Sequence, residues 1–112
     1  MNQTQMKGTP MGNRASIYIT SEQFEKPIHL YGHWSGEDNI KAVEEVLTHT
    51  DRVGDPSYLT AQIFYKFAEL GNYTGNLGFG ISVASDIDDY DDNPPVIVNA
   101  DTGEIEYRPR GE

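Results

Sequence analysis

Arg14, His33 and Trp34 are the residues whose chemistry and placement first suggest a site. Arg14 opens an alternating run to Thr20, with Ala15, Ile17 and Ile19 on one side and Arg14, Ser16, Tyr18 and Thr20 on the other. Strict alternation predicts a strand with one buried face. A second run, Pro27 to Trp34, sets Ile28, Leu30 and Trp34 against His29, Tyr31 and His33. The polar connection Ser21 to Lys26 is short, so the two strands are expected to form an antiparallel hairpin. That pairing brings Arg14 beside His33. A helix is expected to begin at Ser35, and its free N–H groups would favour an anion there. Arg14, His33 and that helix end together predict a phosphate or carboxylate site. The competing reading pairs Arg14 with a nearby acid and leaves His33 on the surface.

The same alternation places Tyr18, His29, Tyr31 and His33 on one sheet face, beside the small residues Gly78, Gly80 and Ser82. Rings over a small, flat floor suit a stacked ligand, a partner protein or a second copy of the chain. A solvated face is the simpler alternative. The expected ligand-binding set is Arg14, Tyr18, His29, Tyr31, His33 and Trp34. His29 and His33 do not suggest a metal site. Four strand residues at about 3.3 Å each separate them by ~13 Å, too far to share one zinc at ~2.1 Å.

A third candidate is the acidic loop carrying Asp86, Asp88, Asp89, Asp91 and Asp92. Its spacing fails the calcium-loop pattern, because Tyr90 and Asp91 stand where a ligand and the turn glycine belong. It is expected either to dock on a basic protein, imitating phosphates, or to be a solvated loop. Phosphate-loop, nucleophile-elbow and zinc-helix motifs are absent from the sequence. No catalytic residue and no cofactor is therefore assigned. A small hydrolase or transferase using His33 and Arg14 stays open as an alternative of another class.

Other elements must position these residues. Ser35, with Asp38 three residues on, reads as a capping box for a first helix to about Thr50, with Ile40, Val43, Val46 and Leu47 inside. Asp55-Pro56 reads as the start of a second helix. Tyr58, Leu59, Ile63, Phe64, Phe67 and Leu70 give it a broad apolar stripe, and Gly71-Asn72 ends it. Further strands are expected at Leu77–Ser85, Val96–Ala100 and Glu104–Arg108. The order ββααβββ predicts an α+β fold, a mostly antiparallel sheet with both helices packed on one face. Ile17, Ile19, Ile28, Leu30, Phe79, Ile81, Val83, Val96 and Val98 are expected to face the helices.

The chain carries 18 acidic against 8 basic side chains, a net charge of −10. With no basic run, direct nucleic-acid binding and attachment to an anionic membrane are both disfavoured. There is no cysteine, and no apolar stretch of membrane-spanning length. Both fit a cytoplasmic protein. Residues 1–11 read as a disordered leader, 12–109 as a single domain and 110–112 as a tail.

Several stretches occur together: Met11-Gly12-Asn13-Arg14-Ala15, Leu30-Tyr31-Gly32-His33-Trp34-Ser35-Gly36, Tyr58-Leu59 with Ile63-Phe64, Gly78-Phe79-Gly80-Ile81-Ser82, and the aspartates before Pro94. In this order they resemble a family of small uncharacterised proteins from phages and from bacterial genomes with mobile elements. The likeness covers roughly residues 11 to 105. Its most specific part is the Gly-Asn-Arg-Ala opening with Tyr-x-His-Trp-x-Gly. The chain departs from the pattern at Val53, where an aromatic residue follows the middle-loop arginine in that family. The resemblance implies a phage-type accessory protein of the host cytoplasm and carries no activity. The expected function is non-enzymatic: binding or inhibition of a basic host protein, with small-anion or nucleotide binding as the alternative and a homodimer as a third arrangement.

Overall fold

A computed structural model describes residues 14–33, 36–71, 78–87 and 93–107. The elements are β1 (Ala15–Thr20), β2 (Ile28–Gly32), α1 (Asp38–His49), α2 (Pro56–Leu70), β3 (Phe79–Val83), β4 (Val96–Asn99) and β5 (Ile105–Tyr107). Five strands form one sheet in the order β3-β2-β1-β4-β5. Three pairings are antiparallel, and β1 runs parallel to β4. The fold is α+β with the helices packed against the sheet, and its element order is the one the periodicities predict. No helix among the described residues is long and apolar enough to cross a membrane.

The hairpin register follows from the alternation. Ile17 lies opposite Leu30 and Ile19 opposite Ile28, so one face of β1–β2 is aliphatic. β4 adds Val96 and Val98 in register with Ile17 and Ile19. Both helices cover this face. In α1 the buried residues Asn39, Ala42, Val43 and Val46 recur at helical spacing. In α2 they are Pro56, Leu59, Ile63, Phe67 and Ala68. Leu59, Ile63 and Phe67 are fully buried, each worth roughly 1.5–3 kcal/mol of transfer free energy.

The helix ends depart from expectation. α1 starts at Asp38 after Glu37, without a side-chain cap, and Ser35 lies outside the described residues. Asp55 precedes α2 as expected, with Pro56 in its first turn, but its carboxylate makes no cap. It accepts a hydrogen bond from Arg52 at 3.3 Å instead. The α2 stripe is narrower than its composition suggests, since Tyr58 and Leu70 are exposed. Gly71 ends the helix for a packing reason. Its φ is −87°, which any residue adopts, but a Cβ there would lie 2.6 Å from Cζ of Phe79.

The expected helix-facing set needs one correction. Ile17, Ile19, Leu30, Val96 and Val98 are fully buried, and Ile28 and Phe79 pack partly against the core. Ile81 and Val83 share their face, opposite Leu30 and Ile28, yet are 56% and 66% exposed. The helices lie over the centre of the sheet, on β1 and β4. They meet β3 at Phe79, whose ring stands edge-on to Phe64 and Phe67. Alternation sets which face a residue occupies, but not how far the covering layer reaches.

Candidate functional site

On the sheet face opposite the helices, the hairpin continues past its last ladder pair, Ala15 with Gly32. The next residues in that register are Arg14 and His33. Arg14, Ser16, His29, Tyr31, Gly32 and His33 line one cleft of about 220 Å³. The hairpin arithmetic thus brings Arg14 and His33 together as the sequence predicts. A backbone bond from His33 N–H to the Gly78 carbonyl, 2.7 Å, anchors the turn after β2. The Asn93 amide donates to the Arg14 carbonyl at 2.7 Å, tying the start of β1 to the segment before β4.

The deepest part of the cleft is a serine–histidine pair. Ser16 Oγ and His29 Nε2 share a hydrogen bond of 2.8 Å. Such a contact is also the geometry of an activated nucleophile. Here Ser16 is fully buried, so an acyl or phosphoryl group cannot reach its hydroxyl in this conformation. The pair instead sets the orientation of the His29 ring. That ring stacks on Tyr18 at 4.5 Å, nearly parallel at 5°, and meets Tyr31 at 5.0 Å. Stacking and hydrogen bonding together fix the position of the imidazole.

Tyr31 explains the small residue facing it. Gly80 lies opposite Tyr31 in the register, and a Cβ at Gly80 would collide with the Tyr31 ring end. The tyrosine ring therefore lies over the glycine, and that part of the expected floor is filled from within the chain.

A buried amide secures the strand that carries the site. Asn39, on the first turn of α1, is fully buried. Its Nδ2 donates to the Ser16 carbonyl at 3.1 Å and the Pro94 carbonyl at 2.9 Å. One side chain thus pins α1, β1 and the approach to β4 together. Sequence reasoning missed both Asn39 and Ser16. Ser16 could have been found, because it alternates in phase with Arg14 and Tyr18. Asn39 gives no signal, since a polar residue in a first helical turn reads as solvent-facing.

The expected set is distributed as follows. Arg14, His29, Tyr31 and His33 line the cleft. Tyr18, expected on an open face, is only 1% exposed and backs His29 from behind. The start of α1 is not among the described residues lining the cleft, because α1 packs on the other face of β1. Trp34 lies outside the described residues, as do Asp88, Asp89, Asp91 and Asp92, the leader 1–11 and the tail 110–112. Asp86 is exposed, and its Oδ1 accepts the Ile87 N–H at 2.8 Å.

Two other hollows have a different character. A groove of about 570 Å³ between α1 and α2 includes Glu45, His49, Tyr65 and Lys66. Its charges are matched locally, with Lys66 on Glu69 at 2.8 Å and His49 near Glu45 at 3.6 Å. The Glu69 hydrogen bond raises the Lys66 ammonium above its ordinary value. A hollow of about 470 Å³ where β1 and β4 end includes Ser21, Glu22, Asn99 and Asp101. There the Asp101 carboxylate accepts from the Ser21 hydroxyl and the Glu22 N–H, both at 2.8 Å, locking two turns together.

No protein-family model matches the chain, and neither does any curated protein or solved structure.

Proposed function

We propose that the protein binds a small anionic ligand in the Arg14–His33 cleft. One observation carries the reading. In a chain with 18 acidic and 8 basic side chains, the described residues lining this cleft include Arg14, His29 and His33 and no carboxylate. Both other hollows described above contain glutamate or aspartate. A cluster of arginine and histidine side chains is what an anion requires when the surrounding field repels it. At about 220 Å³ the cleft is smaller than the ~300–1,000 Å³ typical of drug-sized ligands. It suits a phosphate or small carboxylate group, with any larger remainder lying along exposed Tyr31. The planar, charged fork of an arginine supplies bidentate recognition of such groups, and the histidines add N–H donors. Burial of Ser16 favours binding over covalent chemistry.

Thermal melting tests this reading with inorganic phosphate, acetate and adenosine monophosphate as probes. A ligand at about a hundred times its Kd stabilises the native state by roughly 2.7 kcal/mol, a rise of several degrees. The expected result is a rise with a phosphate-bearing probe that disappears in the Arg14→Gln and His33→Gln variants. An unchanged melting temperature with all three probes would exclude the cleft as an anion site.

The net charge of −10 favours a second reading, docking of the acidic surface on a basic protein. Capture of such a partner should weaken steeply as salt is raised. Capture indifferent to salt would remove this reading.

A further inference from the structure

We propose that the ligand of the cleft is a nucleoside 5′-monophosphate, with its phosphate on Arg14 and His33 and its base stacked on the ring of Tyr31. This assignment rests on the anion site proposed above and names the rest of the ligand.

Three rings run in series on the cleft face. Tyr18 lies against His29 at 4.5 Å and 5°, and His29 meets Tyr31 at 5.0 Å and 43°. Tyr18 is buried, and the Ser16 hydrogen bond holds His29. Tyr31 is therefore backed on one side by a ring that is itself held, yet it is 38% exposed. Its other support is Gly80, the residue opposite it on β3. A Cβ at Gly80 would collide with Cζ and Oη of Tyr31, so only a bare backbone lets the phenol end settle there. Glycine inside a strand weakens it and marks a close approach. Here the weakening serves to seat a ring that stays partly exposed, so burial of that ring is a poor account of it. A supported aromatic surface beside cationic side chains is what a planar, phosphate-bearing ligand needs.

Size gives the same division of the ligand. About 220 Å³ holds a phosphate, whereas organic ligands fill clefts of ~300–1,000 Å³, so the remainder must extend out of the cleft. His33 lies two residues beyond Tyr31, roughly 6.6 Å along the strand, a span that a ribose bridges between phosphate and base. A flat base gains more on the Tyr31 ring than an aliphatic group would. Base–aromatic stacking is worth roughly five-fold to a hundred-fold in affinity. Ser82, opposite His29 in the register and exposed, adds a hydroxyl able to donate to or accept from a base edge. The phosphorylated end of a nucleic acid carries the same chemistry. A chain of net charge −10 repels such a polyanion, which selects the free mononucleotide.

Calorimetric titration of the full chain with inorganic phosphate, ribose 5-phosphate and adenosine monophosphate tests the proposal. Adenosine monophosphate should bind about tenfold more tightly than ribose 5-phosphate. In Tyr31→Leu the ratio between these two should fall to near one. In Tyr31→Phe it should persist, because the ring and not the hydroxyl makes the stack. The Tyr31 ring protons should shift upfield in NMR spectra with adenosine monophosphate and not with ribose 5-phosphate, a signature of stacking that altered folding does not produce. Equal affinities for the two would overturn the proposal while leaving the anion cleft standing. So would a preference that survives Tyr31→Leu, or tighter binding of a 5′-phosphorylated oligonucleotide than of the mononucleotide. Failure of all three probes to bind would remove the anion cleft itself, and this assignment with it.

Discussion

The two faces of β1 are both buried, and they are built from opposite materials. Toward the helices stand Ala15, Ile17 and Ile19, packed on Leu30, Leu59, Ile63, Val96 and Val98. Toward the cleft stand Ser16 and Tyr18, held by His29 through a hydrogen bond and a ring stack. The first face is cohesive because it excludes water from apolar surface, so its contribution scales with area. The second is ordered by directional contacts, and its polar groups are costly unless paired. Stability should therefore reside on the helix face, and recognition on the cleft face. Substitutions on the two sides should separate melting temperature from ligand response.

The largest expected effect is on the helix side. Phe67→Ala removes a fully buried ring that contacts Phe79 edge-on at 5.3 Å. It should cost about 3–5 kcal/mol in urea unfolding. A loss under about 1 kcal/mol would mean that the core does not close around α2 as described.

Gly71→Ala comes next. The added methyl meets the Phe79 ring, which is flanked by Phe64 and Phe67 and cannot easily turn aside. Overpacking of this kind costs about 1–3 kcal/mol.

Asn39→Ala tests the join between the faces. It strips two carbonyls, those of Ser16 and Pro94, of a buried donor. An unsatisfied buried group costs about 1–3 kcal/mol, and amide exchange should speed up at the start of both β1 and β4. Accelerated exchange in β1 alone would show that the Pro94 bond contributes nothing.

Gly80→Ala has the smallest expected effect on stability and sharpens the contrast most. Its new methyl also meets a ring, that of Tyr31, but Tyr31 is 38% exposed and can swing into solvent. Stability should change by less than about 1 kcal/mol, within the range of ordinary surface substitutions or slightly beyond. Ligand response should nevertheless fall, because Tyr31 is displaced from the cleft wall. Equal destabilisation by Gly71→Ala and Gly80→Ala would contradict the distinction between the two faces.

This division also explains which features could be read from the residues alone. The alternation in Arg14–Thr20 and the short loop after it determine the hairpin and its register. The meeting of Arg14 with His33 follows without tertiary information. The stripe Leu59, Ile63 and Phe67 likewise announces a core helix. Long-range placement is not encoded so locally. Nothing in Val96–Asn99 says that it runs parallel to β1, since that depends on where the chain returns after β3. The exposure of Ile81 and Val83 reflects the reach of the helices over the sheet, and the burial of Ser16 and Tyr18 depends on what covers them. The expected contribution of the α1 start failed for a related reason: residue spacing brings the helix close in sequence, while its apolar stripe carries it to the other face.

The most direct test of the anion cleft uses the chain's three histidines. His29 and His33 line the cleft, whereas His49 is exposed at the end of α1, beside Glu45. Imidazole resonances followed by NMR during titration with inorganic phosphate, at constant pH and ionic strength, therefore carry an internal control. Saturable shifts at His29 and His33 with His49 unmoved are the result the account predicts. Shifts of equal size at all three, or at none, would contradict it.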